Sequence, residues 1–339
     1  MIIEEAAEST FKSAVCELAE YTCLKEKDIL ERIRKVYSQQ IREWRGTIGE
    51  KVTDDKVNEF YRDTDSYLFD LVQYNYENSF YINLTGEIFR FCASLNTEMA
   101  GLKIMDFGGG IGSQMISLSV LRGAELSYAD IPGKTFEYAN WRFKRRQMDI
   151  EMIDATKENF LDDKMYDVVI TLDVIEHLVN PESSVRYLMK HIKPNGYLVA
   201  VTSFIDNNGE AGWHLNVDKY TNESFYDFIK TLGMEMMNET YPRIFQKNEE
   251  LVALMEGIDS ATREGRFADS RKLMEFYLQF RPVDLDMLVK YADACLMLGD
   301  RNTASENLEK VRIFNPDMPE ALKIADKIRR MDSEITHGK

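Results

Sequence analysis

Basic residues are in short supply in this chain. Lysine and arginine number 42 against 58 aspartates and glutamates, a formal net charge of −16 over 339 residues. So acidic a surface repels phosphate backbones and anionic lipid, which argues against nucleic acid or membrane as partners unless a local basic strip exists. The one such strip, "WRFKRRQ" (141–147), falls on an expected helix and reads as a solvated face. Cysteine is scarce too. Cys16, Cys23, Cys92 and Cys295 stand apart without CxxC spacing, which suits a reducing compartment and offers no zinc-site pattern. No apolar stretch approaches membrane-spanning length, and the acidic start "MIIEEAAEST" lacks a basic-then-apolar signal region, so a cytoplasmic location is expected. Histidine occurs four times, at 177, 191, 214 and 337, so candidates for a proton acceptor are few.

What is present is 44% hydrophobic and long enough for one large core plus a smaller unit. Residues 1–95 carry apolar positions at three- and four-residue spacing and many Tyr and Phe, which predicts an N-terminal helical cap. From 96 to 247 short apolar runs alternate with helical stretches: "LKIMDF", "ELSYAD", "DIEMID", "YDVVITLD" and "GYLVAVTSF" read as strands separated by helices. That alternation predicts an α/β domain, a mostly parallel sheet covered by helices on both faces. The segment "MEMMNETYPRIFQK" adds an expected antiparallel pair at the end. Residues 248–339 read as helices again. Gly265 and Gly299 are 34 residues apart, as are Pro282 and Pro316, and Tyr291, Ala292, Ala304 and Leu308 sit at helix-packing positions. This tail resembles the tetratricopeptide repeat, with a degenerate earlier copy carrying Ser270 where a small Ala is usual. The resemblance implies a surface for a protein partner or for self-association.

The stretch "IMDFGGGIGS" (104–113) packs four glycines into five residues straight after a strand. A dinucleotide fingerprint from Gly108 and Gly110 would want Gly or Ala where Ser113 stands. A phosphate loop is absent: the "GKT" at 133–135 has Tyr128 five residues before it instead of glycine, and no Lys or Arg lies between Lys103 and Arg122. The pattern Asp106, Gly108, Gly110, Gly112 resembles the nucleotide loop of class I S-adenosylmethionine-dependent methyltransferases. The likeness runs in order across 96–247, and "YDVVITLDVIEHLVNP" (166–181) is its most specific part.

The resemblance implies a Rossmann-like sheet, S-adenosyl-L-methionine as methyl donor and S-adenosyl-L-homocysteine as product. It implies that Asp130, ending the second strand, accepts hydrogen bonds from the ribose, that Asp154 meets the adenine amine, and that Asp173 lies near the methyl group. The donor carries hydrogen-bond donors and a cation but no phosphate, which suits acidic residues and bare backbone. Methyl transfer from a sulfonium is an in-line displacement accelerated by positioning, and a base is needed only where the acceptor must lose a proton.

Two histidines are candidates for that base. His214 lies in "IDNNGEAGWHLNVDKYT" (205–221), a loop expected over the carboxyl edge of the sheet, and the family's small-molecule enzymes resemble it there, with Tyr220 and Thr221 starting the next helix. His177 follows the fourth strand beside Glu176. Trp213, Tyr220 and Glu176 are candidate acceptor contacts, and Tyr74, Tyr76, Phe80 and Tyr81 candidate lid residues. A metal is not expected, since neighbouring residues on a helix point about 100° apart. The expected acceptor is an oxygen or nitrogen of a small molecule or sugar in a biosynthetic pathway. A peptide or protein recruited by the tail, and a non-catalytic interaction protein, are the alternatives.

Overall fold

The structure is a computed structural model that describes residues 11–49, 51–95, 101–205 and 213–337. It divides into two compact units, residues 1–248 and 249–339.

The first unit is built on a seven-stranded sheet in the order β3-β2-β1-β4-β5-β7-β6. The strands are β1 (Lys103–Phe107), β2 (Glu125–Asp130), β3 (Ile150–Asp154), β4 (Tyr166–Leu172), β5 (Ile192–Val201), β6 (Met234–Met236) and β7 (Arg243–Lys247). β1 to β5 pair in parallel, and β7 pairs antiparallel with both β5 and β6, so the expected hairpin at 234–247 forms. Strand alternation assigns side chains to two cores. Met105 and Phe107 of β1 join Val169, Leu198 and Ala200 on one face. Ile104 joins Val168, Ile170 and Val199 on the other. Strand order reverses between β1 and β4, and the carboxyl ends of parallel strands at such a point open the crevice where ligands bind.

Among the described residues, nine α-helices complete this unit. Five precede the sheet: α1 (Phe11–Thr22), α2 (Glu26–Ile48), α3 (Asp54–Asp63), α4 (Ser66–Tyr76) and α5 (Ser79–Leu95). α6 (Ser113–Leu118), α7 (Lys134–Arg145) and α8 (Pro181–Lys190) connect strands, and a further helix, α9 (Asn222–Thr231), leads to the hairpin. In α2 the buried positions Ile29, Ile33, Val36, Gln40, Trp44 and Ile48 recur every three or four residues, the stripe a half-buried helix requires. α3 is started by Thr53, whose hydroxyl accepts the Lys56 amide. α9 is started by a reciprocal box between Thr221 and Ser224. α6 is shorter than the "SQMISLSVLRG" pattern suggests, ending at Leu118.

Leu68 and Val72 of α4, Ile33 and Val36 of α2, and Leu18 of α1 form one cluster with Tyr138 of α7 and Ile111 of the glycine stretch. The N-terminal helices thus pack directly on the sheet's carboxyl edge.

The second unit consists of α10 (Glu249–Arg263), α11 (Phe267–Phe280), α12 (Leu285–Met297), α13 (Arg301–Phe314) and α14 (Pro319–His337). Its own core includes Tyr291, Ala292, Ala304 and Leu308. Gly265 and Gly299 turn between helices at φ +72° and +79°. Ser270 is fully buried and its hydroxyl meets that of Thr262 at 2.6 Å, so a polar pair replaces the apolar contact at this position. Among the described residues, no helix is long and apolar enough to cross a membrane.

Candidate functional site

One cavity lies at the carboxyl ends of β1, β2 and β4, where the strand order reverses. Its floor is Asp106, Gly108, Gly109 and Gly110 after β1, Asp130 and Ile131 after β2, and Asp173, Val174 and His177 after β4. Its opposite wall comes from the N-terminal helices: Asn58 and Tyr61 of α3, Tyr67, Leu71, Tyr74 and Asn75 of α4, and Tyr81 and Thr85 of α5.

The glycine turn is fixed from three directions. Gly108 sits at φ +73°, and a Cβ there would stand 2.3 Å from a Val174 methyl, so the turn must be bare to pass under the β4 loop. Gly110, at φ +53°, would press a Cβ to 3.0 Å from Leu71 on α4. The Gly110 amide donates to Asp130 Oδ2 at 2.8 Å, the Gly108 amide to the Ala129 carbonyl at 2.8 Å, and the Tyr128 hydroxyl to the Gly110 carbonyl at 2.6 Å. Asp130 also accepts from the Ile131 amide at 2.7 Å and lies 3.1 Å from the Tyr128 hydroxyl. This carboxylate therefore ties the loop to β2 as well as facing the cavity.

Burial sets the charges. It pushes the Asp106 carboxyl up to about 7, with the Asp130 charge adding to the effect. Burial raises Asp130 to about 6 against the pull of its backbone donors, and raises Asp173 to about 7. Glu176 is fully buried and is pushed well above the usual carboxylate range by burial and by Asp173. Its Oε1 accepts the Ser203 amide at 2.8 Å, while Oε2 and Asp173 Oδ2 find no partner among the described residues. Such a cavity favours a cationic guest: each buried carboxyl is held partly neutral and gains from a positive charge beside it.

His177 belongs to a 3₁₀ turn, Ile175–His177, ahead of α8 rather than to the helix itself. Its Nδ1 donates to the Trp213 carbonyl at 2.9 Å, which leaves Nε2 as the lone-pair nitrogen. Burial and the neighbouring His214 drive its pKa down to about 3, so the ring is neutral across the physiological range. His214 lies beside it, ring centroids 5.0 Å apart, with Nδ1 3.1 Å from the Ile205 carbonyl and its pKa lowered by burial.

Of the residues singled out in the sequence, Asp106, Gly108, Gly110, Asp130, Asp173 and His177 come together around the cavity. Six others do not line it. Gly112 packs beneath the loop against Phe143. Asp154 turns away to hold the Thr156 amide and hydroxyl at 3.0 and 2.6 Å. Glu176 lies under the floor, and His214 one ring behind His177. Trp213 packs in a cluster with Trp44 and Phe60. Tyr220 is buried with Phe204 and Phe225, its hydroxyl on Glu182. Tyr74 and Tyr81 face the cavity, Tyr76 joins the Arg142 network, and Phe80 is 43% exposed. Residues 206–212, the first part of the His214 loop, lie outside the described residues. His191 is buried, with Nδ1 2.9 Å from the Lys164 carbonyl, a structural position.

Two readings of the sequence change. The basic strip at 141–147 is not simply a solvated face. Arg142 is fully buried and donates to Glu17 of α1 at 3.0 Å and to the Ile111 carbonyl at 2.5 Å, while Arg145 and Arg146 also engage Glu17 and Glu20. The geometric objection to a metal also weakens. The 3₁₀ turn lets one ligand atom each from Glu176, His177 and His214 lie within 4.8 Å of one another.

Tyr74 and Tyr81 are two of the four expected lid residues; the other wall residues on α3 to α5 had only a helical period to announce them, and that period marks burial without saying what the buried face meets.

Residues 105–198 match the family model of the methyltransferase domain. The chain is 34% identical over 130 residues to the ubiquinone biosynthesis O-methyltransferase of Rickettsia akari (strain Hartford), covering 38% of this chain and 51% of that protein. It is 30% identical over 196 residues to the protein of the same name from Rickettsia canadensis (strain McKiel), covering 54% of this chain and 78% of that one. Across the first of these relatives the chain spans about half of their length. The N-methyltransferase NodS from Bradyrhizobium japonicum WM9, solved with S-adenosyl-L-homocysteine, aligns at 15% identity and TM-score 0.42 over 63% of this chain and 98% of that one. With the ordered glycine turn, the acidic strand ends and a relative matched over most of its length, the chain belongs to the S-adenosylmethionine-dependent methyltransferases.

Proposed function

We propose that this protein transfers a methyl group from S-adenosylmethionine to a hydroxyl of a small acceptor that carries no negative charge, with His177 accepting the hydroxyl proton. The observation that carries this reading is the single cavity in which a bare glycine turn and Asp130 stand on one side of His177 and a tyrosine wall on the other. When bound, the donor supplies an electrophilic methyl on a sulfonium. The residues fit it: the turn exposes backbone, the floor is carboxylates, and no lysine or arginine occurs among the described lining residues. Asp106 and Asp173 balance the cation, and Asp130 offers acceptors to the ribose hydroxyls.

The same lack of basic groups disfavours phosphorylated or carboxylated acceptors, whose charge would meet Asp106, Asp130 and Asp173 unpaired. Tyr61 and Tyr67 supply hydroxyls and ring faces for an acceptor; their own hydroxyls lie 3.4 Å apart. The Trp213 carbonyl orients the imidazole and leaves Nε2 as its lone-pair nitrogen; burial keeps the ring neutral and makes it a weak base, so the proton passes to Nε2 as the arriving methyl makes the acceptor oxygen strongly acidic. Methylation at oxygen rather than nitrogen is supported by the relatives' name. His214 stands behind His177 as a second imidazole. His177→Ala is expected to lower kcat by about 10²-fold or more while leaving S-adenosylhomocysteine affinity unchanged, and His214→Ala to lower it less. A fully active His177→Ala removes the base assignment.

A second reading rests on the Glu176, His177 and His214 cluster, which would hold a divalent cation and polarise the acceptor oxygen. Exhaustive chelation separates the two: activity survives in the base reading and is lost, then restored by metal, in the cation reading.

For residues 249–339 the reading is a tetratricopeptide-like unit that presents a partner-binding face. Removing it is expected to leave methylation of a small acceptor intact. Full activity of the truncated chain on a small acceptor removes the motive for recruitment of a peptide or protein substrate by this unit.

A further inference from the structure

The backbone just beyond the cavity glycines is held by a side chain that does not itself line the cavity. Gly108, Gly110 and Gly112 all sit at positive φ, and so permissive a run keeps one shape only where its peptides are tied down. The Gly112 amide donates to the Gly109 carbonyl at 2.9 Å, and the Ile111 carbonyl of the same peptide accepts from Arg142 Nη1 at 2.5 Å. Nη1 also donates to Ser113 Oγ at 3.3 Å, Nη2 donates to the Tyr76 hydroxyl, and Nε donates to Glu17 at 3.0 Å. The guanidinium carbon lies 5.6 Å from the ring centres of both Tyr76 and Tyr138. One side chain of α7 thus joins the turn to α1 through Glu17 and to α4 through Tyr76.

Arg142 is fully buried where α1, α4 and α7 otherwise meet through apolar side chains, Leu18, Val72 and Tyr138 among them. Burying a charge there costs more than burying an apolar residue of the same volume. Packing alone does not call for it, whereas directional hydrogen bonds to the turn do. We propose that Arg142 is a positioning residue for the donor site, holding the 111–112 peptide so that the glycine turn keeps its shape. Through Glu17 and Tyr76 it makes that shape depend on the docking of α1 and α4. The inference rests on the donor reading above. A turn clamped in advance gives up less freedom when the ligand arrives, so releasing the clamp lowers affinity without removing a ligand contact.

Calorimetric titration of the full chain with S-adenosylhomocysteine tests this, with urea melts fixing the conditions in which each variant is folded. Folded Arg142→Met is expected to bind about tenfold or more weakly. Its donor KM is expected to rise in step, while kcat at saturating donor falls by less than about threefold. Arg142→Lys keeps the charge but not the fork and is expected to recover part of the loss. Tyr76→Phe is expected to weaken binding about threefold. Met234→Ala opens the core at the far edge of the sheet, lowering stability as well, and is expected to leave affinity within about twofold. Should Arg142→Met not fold, the lysine and phenylalanine variants carry the comparison. Wild-type affinity in folded Arg142→Met, or in both milder variants, overturns the assignment and leaves the donor reading standing. An equal loss in Met234→Ala does the same. A wild-type chain that does not bind S-adenosylhomocysteine overturns both.

Discussion

The two walls of the cavity come from opposite kinds of sequence. The sheet wall is local: Asp106 to Gly110, Asp130, and Asp173 to His177 each sit within a few residues of a strand end, and parallel pairing sets them side by side. The helical wall is assembled from three separate helices, α3 to α5, whose positions depend on long-range packing. The first wall is suited to a donor common to the whole family. In the proposed reading the second wall is where the acceptor is chosen. A fold that keeps donor recognition on strand ends and acceptor recognition on added helices can change one without rebuilding the other.

That division can be broken most severely from the sheet side. Gly108→Val forces a branched side chain into a positive-φ position, 2.3 Å from Val174 in its first atom alone, and is expected to abolish S-adenosylhomocysteine binding by calorimetry. Retained binding would mean that the turn yields and does not hold the donor. Next in size is the joint between the walls. Arg142→Met takes one of three guanidiniums from the buried Glu17 and the donor from the Ile111 carbonyl, and is expected to cost about 2–3 kcal/mol of stability in urea melts, with Glu17→Leu on the same background recovering part of it. On the helical side, Tyr61→Phe is expected to raise the acceptor KM by up to about tenfold and to leave the donor KM unchanged. A matching change in donor KM would merge the two walls into one function.

The smallest effect tests the electrostatics of the floor. Asp106 in the folded protein is raised to about 7 from an ordinary value of 3.8, so the folded state binds its proton more tightly than the unfolded state does. The resulting stabilisation is complete below about pH 4 and is lost as pH rises to about 7. Asp106→Asn, which mimics the protonated form, is therefore expected to gain stability relative to the wild type across that window in paired melts without ligand. A difference that is flat with pH would place the carboxylate in a wetter site.

How much could be read beforehand follows the same line. Hydrophobic alternation located β1 to β5, and the hairpin around Pro242 was visible as a last pair of apolar runs. The order of Asp106, Gly108, Gly110, Asp130 and Asp173 was legible because each sits at a strand end, where sequence neighbours are also neighbours in space. Asp154 looked equivalent, yet its carboxylate is spent on the turn after β3, a local hydrogen bond that spacing does not distinguish from a ligand contact. Arg142 was hidden for a related reason. A basic run reads as solvated unless the acid that buries it is known, and Glu17 lies 125 residues away in the chain. Trp213 and Tyr220 sit near the site in sequence order but serve the packing around it. Gln114, which lines the cavity from the start of α6, carried no signal at all, since a lone amide on a short helix has no period or motif.

Hydrogen–deuterium exchange of the full chain, with and without S-adenosylhomocysteine, tests the division of the cavity most directly. Amide protection is expected to concentrate at residues 108–114, 130–131 and 173–178, with little change along α3. Protection confined to α3 and the 213–220 loop, with the glycine turn exchanging as before, would contradict it.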